Sequence, residues 1–350
     1  MTHLFPYKWY LKDGYPSKEI PKNNCKVFGT FICGGGSTMG YKLAGFNHLG
    51  GVEIDPPIAD VYKENHKPKY LFLEDIRHFV KRSDIPEELY NLDLLDGSPP
   101  CSSFSMAGNR EKDWGKKKVF KEGQSEQVLD DLFFEYIALA KKLQPKIVLA
   151  ENVKGLIQGN AKLYVKNIFK AFDDAGYNVQ LFLLNAASMG VPQKRERVFF
   201  ICQRKDLNLP KLRLEFNEKQ IIFKDVADFD DKKETLRGAE KKVWHLVEKT
   251  DSSLSDAYKR FNNSNSFFSH NILNLEKVAN TITGSGGGQQ IIYEFKRHLN
   301  DKETVMCGTY PMDYNFKNVE PKYLIGMSVP PVAMAQISLK IKEQWLDLLK

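Results

Sequence analysis

Lys26-Val27-Phe28-Gly29-Thr30-Phe31-Ile32-Cys33-Gly34-Gly35-Gly36-Ser37-Thr38-Met39-Gly40 runs from an apolar strand through a glycine turn into the start of a helix. Glycines in such a turn let the backbone come close to a ligand. Outward from this unit the alternation continues. Residues 49–54 read as a second strand, followed by a helix near 58–66, and 70–73 and 92–95 read as further short strands. A long amphipathic helix is predicted over 126–143, with Val128, Leu132, Phe133, Ile137, Ala140 and Leu143 at helical spacing. Residues 146–150, 179–184 and 197–202 read as strands, and 162–175 as a helix. This βαβα rhythm predicts an α/β fold with a doubly wound, mostly parallel sheet.

The rhythm stops after Arg204. Residues 205–296 are irregular, with an Asn/Ser-rich stretch at 262–266 and Gly284-Ser285-Gly286-Gly287-Gly288. A terminal helix returns at 331–349, where Val332, Ile337, Ile341, Trp345 and Leu348 are spaced to pack on the first domain. The expected division is 1–204 plus 319–350 for one domain and 205–318 for a smaller, irregular one. Hydrophobic content of 42% and charged content of 27% fit a soluble globular chain. No apolar run approaches ~20 residues, so no membrane contact is expected. Five scattered cysteines without a CxxC pair argue for a reducing cytoplasm, and against a zinc site or a disulfide frame. Net charge of +7 is a mild pointer to a polyanionic partner.

In an open α/β sheet the ligand crevice lies beyond the carboxyl ends of the strands. Pro99-Pro100-Cys101 follows one such strand, and Glu151-Asn152-Val153 ends another. A thiol and a carboxylate there can face one substrate, as nucleophilic attack with proton transfer requires. The prolines restrict the loop that carries Cys101. Arg195 and Arg197 are candidates for the positive charge that would raise the thiolate share. Glu53-Ile54 at the end of the second strand and Asp75-Ile76 in a third loop complete a nucleoside-cofactor pocket with the glycine turn. An acid at that place accepts from ribose hydroxyls. The turn lacks a clean G-x-G-x-x-G for a pyrophosphate, which disfavours NAD against S-adenosylmethionine.

In this order and spacing the segments resemble the C5-cytosine DNA methyltransferase family, over nearly the whole chain. Ser98-Pro99-Pro100-Cys101-Ser102-Ser103-Phe104-Ser105 is similar to the family's catalytic Pro-Cys motif, and Glu151-Asn152-Val153 to its Glu-Asn-Val motif. Gln193-Lys194-Arg195-Glu196-Arg197 resembles its Gln-x-Arg-x-Arg motif. Tyr310-Pro311-Met312-Asp313-Tyr314, preceded by Arg297 and Glu303, is similar to the segment bracing the recognition domain. Gly326-Met327-Ser328-Val329-Pro330-Pro331 resembles the last motif of the cofactor pocket. The resemblance implies a Rossmann-like, S-adenosylmethionine-dependent methyltransferase domain with a smaller target-recognition domain.

It also implies roles. Cys101 attacks C6 of cytosine, Glu151 hydrogen-bonds the N3/N4 edge, Arg197 polarises O2 with Arg195 nearby, and Asn152 shapes the loop. Phe31, Gly34, Gly35, Gly36, Glu53, Ile54, Asp75, Ile76 and Ser328 would hold the cofactor, which leaves as S-adenosylhomocysteine, and no metal is expected. Ser103, Arg110, Lys116, Gln193, Thr283 and Gln289 are expected at double-stranded DNA, with residues 102–124 folding over it around a flipped base. A cytoplasmic monomer, acting beside a restriction endonuclease without direct contact, completes the expectation. A tRNA-methylating relative and an inactive DNA-binding relative are the alternatives. Two positions depart from the family. Cys33 stands where its first glycine falls, and would crowd the cofactor's methionine end. Met327 replaces an asparagine beside the cofactor's amino-acid moiety. Residues 1–25 precede the family core and are expected to pack on the catalytic domain.

Overall fold

The computed structural model describes residues 3–15, 20–100, 131–158, 162–262, 270–284 and 289–349. Cys101, Ser103, Arg110, Lys116 and the expected 102–124 loop lie outside them. The first half alternates strongly. It comprises β1 (Lys26–Thr30), α1 (Gly36–Leu43), β2 (Asn47–Glu53), α2 (Pro56–His66), β3 (Tyr70–Leu73), α3 (Ile76–Phe79), β4 (Leu94–Gly97), α4 (Leu132–Leu143), β5 (Ile147–Val153), α5 (Lys162–Asp174), β6 (Tyr177–Asn185) and β7 (Glu196–Arg204). These strands form one sheet in the order β3-β2-β1-β4-β5-β7-β6. β7 runs antiparallel to both its neighbours, while the pairings from β3 across to β5 are all parallel. The doubly wound, Rossmann-like expectation therefore stands.

Both faces of the sheet are buried, as its near-continuous apolar strands require. Val27, Leu94, Ile147, Leu149, Phe199 and Ile201 face one core, and Phe28, Leu95, Val148, Ala150, Val198 and Phe200 face the other. Asp93 fixes the sheet's amino edge, accepting from Lys26 N at 2.7 Å and pairing with Lys146 Nζ at 2.7 Å. β4 lies two residues later than the 92–95 expectation, because Leu92 follows a 3-10 turn at Glu87–Asn91 and the buried Asp96 continues the strand.

The second half holds α6 (Gly238–Val243), α7 (Leu254–Asn262), β8 (Asn271–Leu273), β9 (Gln290–Ile292), β10 (Arg297–His298), α8 (Asp301–Cys307), α9 (Pro321–Met327) and α10 (Pro331–Gln344). β8, β9 and β10 form a small sheet with β9 central. Leu236, Val243, Val247, Leu254, Ala257, Ile272 and Ile291 make a separate core there. Leu212, Ile221, Phe223, Val226, Val305 and Tyr310 instead join the larger core. The separate apolar cluster is thus narrower than residues 205–318. α10 lies across α1 at close range, and a Cβ on Gly40 would fall 2.6 Å from Pro331 O. Pro321–Leu349 is long and apolar enough by composition to cross a membrane, contrary to the sequence expectation, but 83% of its most apolar window is buried in the fold. Residues 3–15 pack on the large domain as expected: Phe5 and Trp9 enter its core, and Asp313 accepts from Leu11 N at 2.6 Å and Lys12 N at 3.0 Å.

Candidate active site

β4 and β5 deliver their carboxyl ends side by side, and β7, being antiparallel, brings its first residues to the same edge. Asn152 joins the strands. Its Nδ2 donates to Pro99 O at 3.0 Å, and its Oδ1 accepts from Val153 N at 2.9 Å. The side chain is 4% exposed and grips the backbone two residues before Cys101.

Glu151 and Arg197 meet across the β5–β7 pairing. Val153 lies opposite Arg197 and Glu151 opposite Phe199, so the two charges are diagonal neighbours on one face. Arg197 Nε sits 3.1 Å from Glu151 Oε1. Burial pulls the Arg197 guanidinium below its ordinary range, and the Glu151 charge opposes that shift.

Arg195 and Gln193 part company with Arg197. Arg195 is buried and donates to Ile282 O and Gly326 O, each at 2.9 Å. Burial, then repulsion from Arg197, pulls it down to about 9. Gln193, 1% exposed, donates to Cys307 O at 2.7 Å and accepts from Ile282 N at 3.1 Å. Through these backbone groups both side chains tie β7's entrance to α8, α9 and the 279–284 strip, and Arg195 Nε is left buried with no hydrogen-bond partner among the described residues. Arg195 stays close enough to Arg197 and Glu151 to feel both charges, as its expected place near the pocket requires, whereas Gln193, expected on DNA, is buried against backbone groups and presents no open face.

The pocket expected for the cofactor assembles around β1 and β2. Glu53 is buried. Its Oε2 accepts from Cys33 N at 2.9 Å, and its Oε1 accepts from Ile54 N at 2.9 Å and Asp55 N at 3.1 Å. Burial raises its carboxyl, and these N–H groups oppose the shift. Asp75 caps α3, accepting from Arg77 N at 2.8 Å and from Arg77 Nη1 at 2.9 Å, while Ile76 beside it is buried. Phe31 and Cys33 both adopt positive φ, at 52° and 47°, and Gly35 follows at 74°. The glycines serve packing as well as access. A Cβ on Gly35 would lie 2.2 Å from His66 Nε2, and one on Gly36 2.2 Å from Val329 O. The Gly34 carbonyl accepts from Tyr314 Oη at 2.6 Å and lies 3.3 Å from His66 Nε2. Burial holds that histidine neutral, down to about 3.

Cys33 turns its thiol to Ser328, and burial followed by the Glu53 charge pushes it up to about 12. Ser328 in turn accepts from Tyr310 Oη at 2.7 Å and donates to Leu324 O at 2.9 Å. Met327 is partly open to solvent. It is 48% exposed and lies against Gly284, where a Cβ would meet its Cγ at 3.0 Å. Thr283 and Gln289 are partly exposed at this same end of the small domain. Asp96, unremarked in the sequence, is buried with Tyr41 Oη donating to its Oδ1 at 3.1 Å, one strand from Glu151 on the same face.

A doubly wound sheet with a glycine turn after β1 and an acid closing β2 defines a Rossmann-like methyltransferase fold. The chain belongs to the C-5 cytosine-specific DNA methylase family, whose model matches residues 26–343. It is 32% identical to the Type II methyltransferase M.FnuDI of Fusobacterium nucleatum, over 92% of this chain and 95% of that one. Its fold is similar to that of a protein encoded within an E. coli prophage, with a TM-score of 0.64 at 20% identity, covering 92% and 99% of the two chains. It is also similar to Spodoptera frugiperda DNMT2, with a TM-score of 0.59 at 18% identity, covering 91% and 99%. The chain is thus a DNA cytosine C5-methyltransferase of the type found in restriction–modification systems.

Proposed function

We propose that this enzyme methylates cytosine within a specific duplex sequence through a covalent bond between Cys101 and C6 of a flipped-out base. The Asn152 clamp on Pro99, two residues before Cys101 and beside the Glu151–Arg197 pair, supports this reading, because it fixes the backbone entering the Pro-Cys motif at the same sheet edge as the two base-binding candidates. Cytosine C5 is a poor nucleophile until a thiolate adds to C6 and the 5,6 π electrons move to C5. Glu151 hydrogen-bonds the N3/N4 edge and favours a proton at N3, while Arg197 holds O2. After C5 has accepted the methyl group, a base removes its proton and the Cys101–C6 bond breaks, restoring the ring. The base leaves the stack at a cost of a few kcal/mol.

S-adenosylmethionine supplies an electrophilic methyl group when bound. Glu53 suits its ribose: a carboxylate offers about four lone-pair sites, and Cys33, Ile54 and Asp55 N–H use only part of that capacity. Ile76 and Asp75 would meet the adenine, Phe31 would pack near it, and Ile54, Gly34, Gly35, Gly36 and Ser328 would complete the pocket. Thr283 and Gln289 are the base-reading candidates, within a recognition unit centred on the small sheet. A cytoplasmic monomer modifying sites shared with a separate endonuclease fits this chemistry.

Bisulfite sequencing of DNA from a host expressing the chain tests the reading, with Cys101→Ala as control. Methylated cytosines in one sequence context, absent with the variant, are expected. Label transferred to tRNA and not to DNA would overturn it.

A further inference from the structure

Away from the sheet edge, three side chains far apart in sequence converge in the small domain. They are Glu240 of α6, His270 just before β8 and His298 of β10, and their ligand-type atoms all lie within 4.8 Å of one another. One carboxylate oxygen meets both imidazoles. Glu240 Oε1 is 3.1 Å from His298 Nε2 and 3.5 Å from His270 Nε2. Donors about 2.0–2.2 Å from a tetrahedral zinc lie roughly 3.3–3.5 Å apart, so this spacing already suits a shared ion.

The surrounding groups hold the set in that orientation. Glu240 Oε2 is occupied by Arg237 N at 3.0 Å, which turns Oε1 to the histidines. His298 Nδ1 lies 3.1 Å from Thr235 Oγ1, the second contact that orients a ligating imidazole. His270 Nδ1 is buried with no hydrogen-bond partner among the described residues. The three line a cavity of about 620 Å³, which leaves room for water as a further ligand.

We propose that Glu240, His270 and His298 bind one divalent transition-metal ion, of which zinc is the representative. Two imidazoles and one carboxylate form a borderline donor set, unlike the all-oxygen sets of calcium or magnesium. The ion fastens α6 to both outer strands of the small sheet, whose separate core is thin. In a module of that size a metal substitutes for missing apolar burial. Cysteine spacing gives no sign of such a site, because no cysteine takes part.

The test uses the full chain, stripped with chelator and titrated with Co²⁺ and then Zn²⁺, with metal content read by mass spectrometry after dialysis. Expected are one ion per chain and visible Co²⁺ d–d absorption that zinc abolishes. Glu240→Gln, His270→Gln and His298→Gln should each remove retention, and Thr235→Val should weaken it by about 10–100-fold. Urea unfolding followed by the fluorescence of Trp244, which packs beside Tyr293 in the small domain, reports whether each variant remains folded there. Failure of the unaltered protein to retain zinc or give the cobalt band overturns the proposal, whatever the variants do. Undiminished binding in all three folded ligand variants also overturns it.

Discussion

Replacing Glu303 by Gln removes one charge and changes almost no volume, at the most enclosed ion pair in the described residues. Arg297 and Glu303 are both fully buried. They pair through Nη1–Oε2 at 2.8 Å and Nη2–Oε1 at 2.9 Å. Each carboxylate oxygen has a second donor, Asp228 N at 2.9 Å on Oε1 and Asn300 N at 3.0 Å on Oε2. An amide nitrogen in either position therefore faces two donors and accepts from neither. Two hydrogen bonds to a charged group are lost, each worth about 1.5–3 kcal/mol, and Arg297 keeps a buried charge whose nearest remaining carboxylate is the partly exposed Asp231, 3.7 Å from its Nε. The expected cost is about 3–5 kcal/mol, the usual range for breaking a buried pair. Urea unfolding followed by tryptophan fluorescence measures it; Trp244, with its ring centroid 6.2 Å from that of Tyr293, reports the small domain. S-adenosylhomocysteine binding should change little, since residues 31–76 lie apart from the pair. A loss below about 1 kcal/mol would refute the view that this pair clasps residues 228–231 to the start of α8. Combining Arg297→Met with Glu303→Leu, which removes both charges together, should recover much of the loss.

Burial, then the Glu151 charge, pushes the Asp96 carboxyl up to about 7. The native chain thus keeps a proton that the unfolded chain releases near pH 4, so stability falls as pH rises from about 4 to 7. Asp96→Asn should be the more stable protein at pH 8, by up to about 4 kcal/mol, with the gap closing towards pH 4; parallel denaturation profiles would contradict this. Asn152→Ala frees Pro99 and should lower kcat by about 10–100-fold without altering cofactor affinity, as stopped assays and calorimetry will show. A Cβ on Gly326 would fall 2.1 Å from Gly284 N; Gly326→Ala should cost about 1–3 kcal/mol in thermal unfolding and raise KM for DNA more than for cofactor. Cys33, with its thiol pushed up to about 12, should be alkylated at pH 8 over about 100-fold more slowly than a free thiol, as peptide mass spectrometry of the native protein can establish.

The strands of the large sheet were legible because their apolar runs are buried on both faces and are bounded by turn residues. The expectation for Asn152 comes from the family resemblance and not from its residue type, since a lone amide at a strand end carries no such signal. Gln193 reads as a DNA contact, and the backbone roles of Gln193 and Arg195 stay hidden, because a charged or amide side chain reads as a ligand contact until its backbone partners are known. Those partners, Cys307, Ile282 and Gly326, are 87 to 131 residues distant. Asp96 escaped notice as one acid after two leucines, and only the neighbouring β5 places it beside Glu151. The small domain was unreadable because its strands are two or three residues long, too short for a period-two pattern to emerge.

The crossing of α10 over α1 orders the protein's synthesis. Gly40 admits Pro331 and Met334 so closely that the α1 surface is finished only by the last helix, and Asp313 likewise waits to receive residues 11 and 12. A nascent chain that has emerged as far as residue 300 has made every strand of the large sheet yet cannot cover its α1 side. Gly36 and Gly40, which meet Val329, Pro331 and Met334 in the finished fold, lack those partners on the ribosome until the residues that follow the small domain are translated. At about 5–20 residues per second the stretch from 205 to 331 takes on the order of 6–25 s. The α1 side of the large core is therefore completed only when residues 331 to 334 appear, long after its strands have been made.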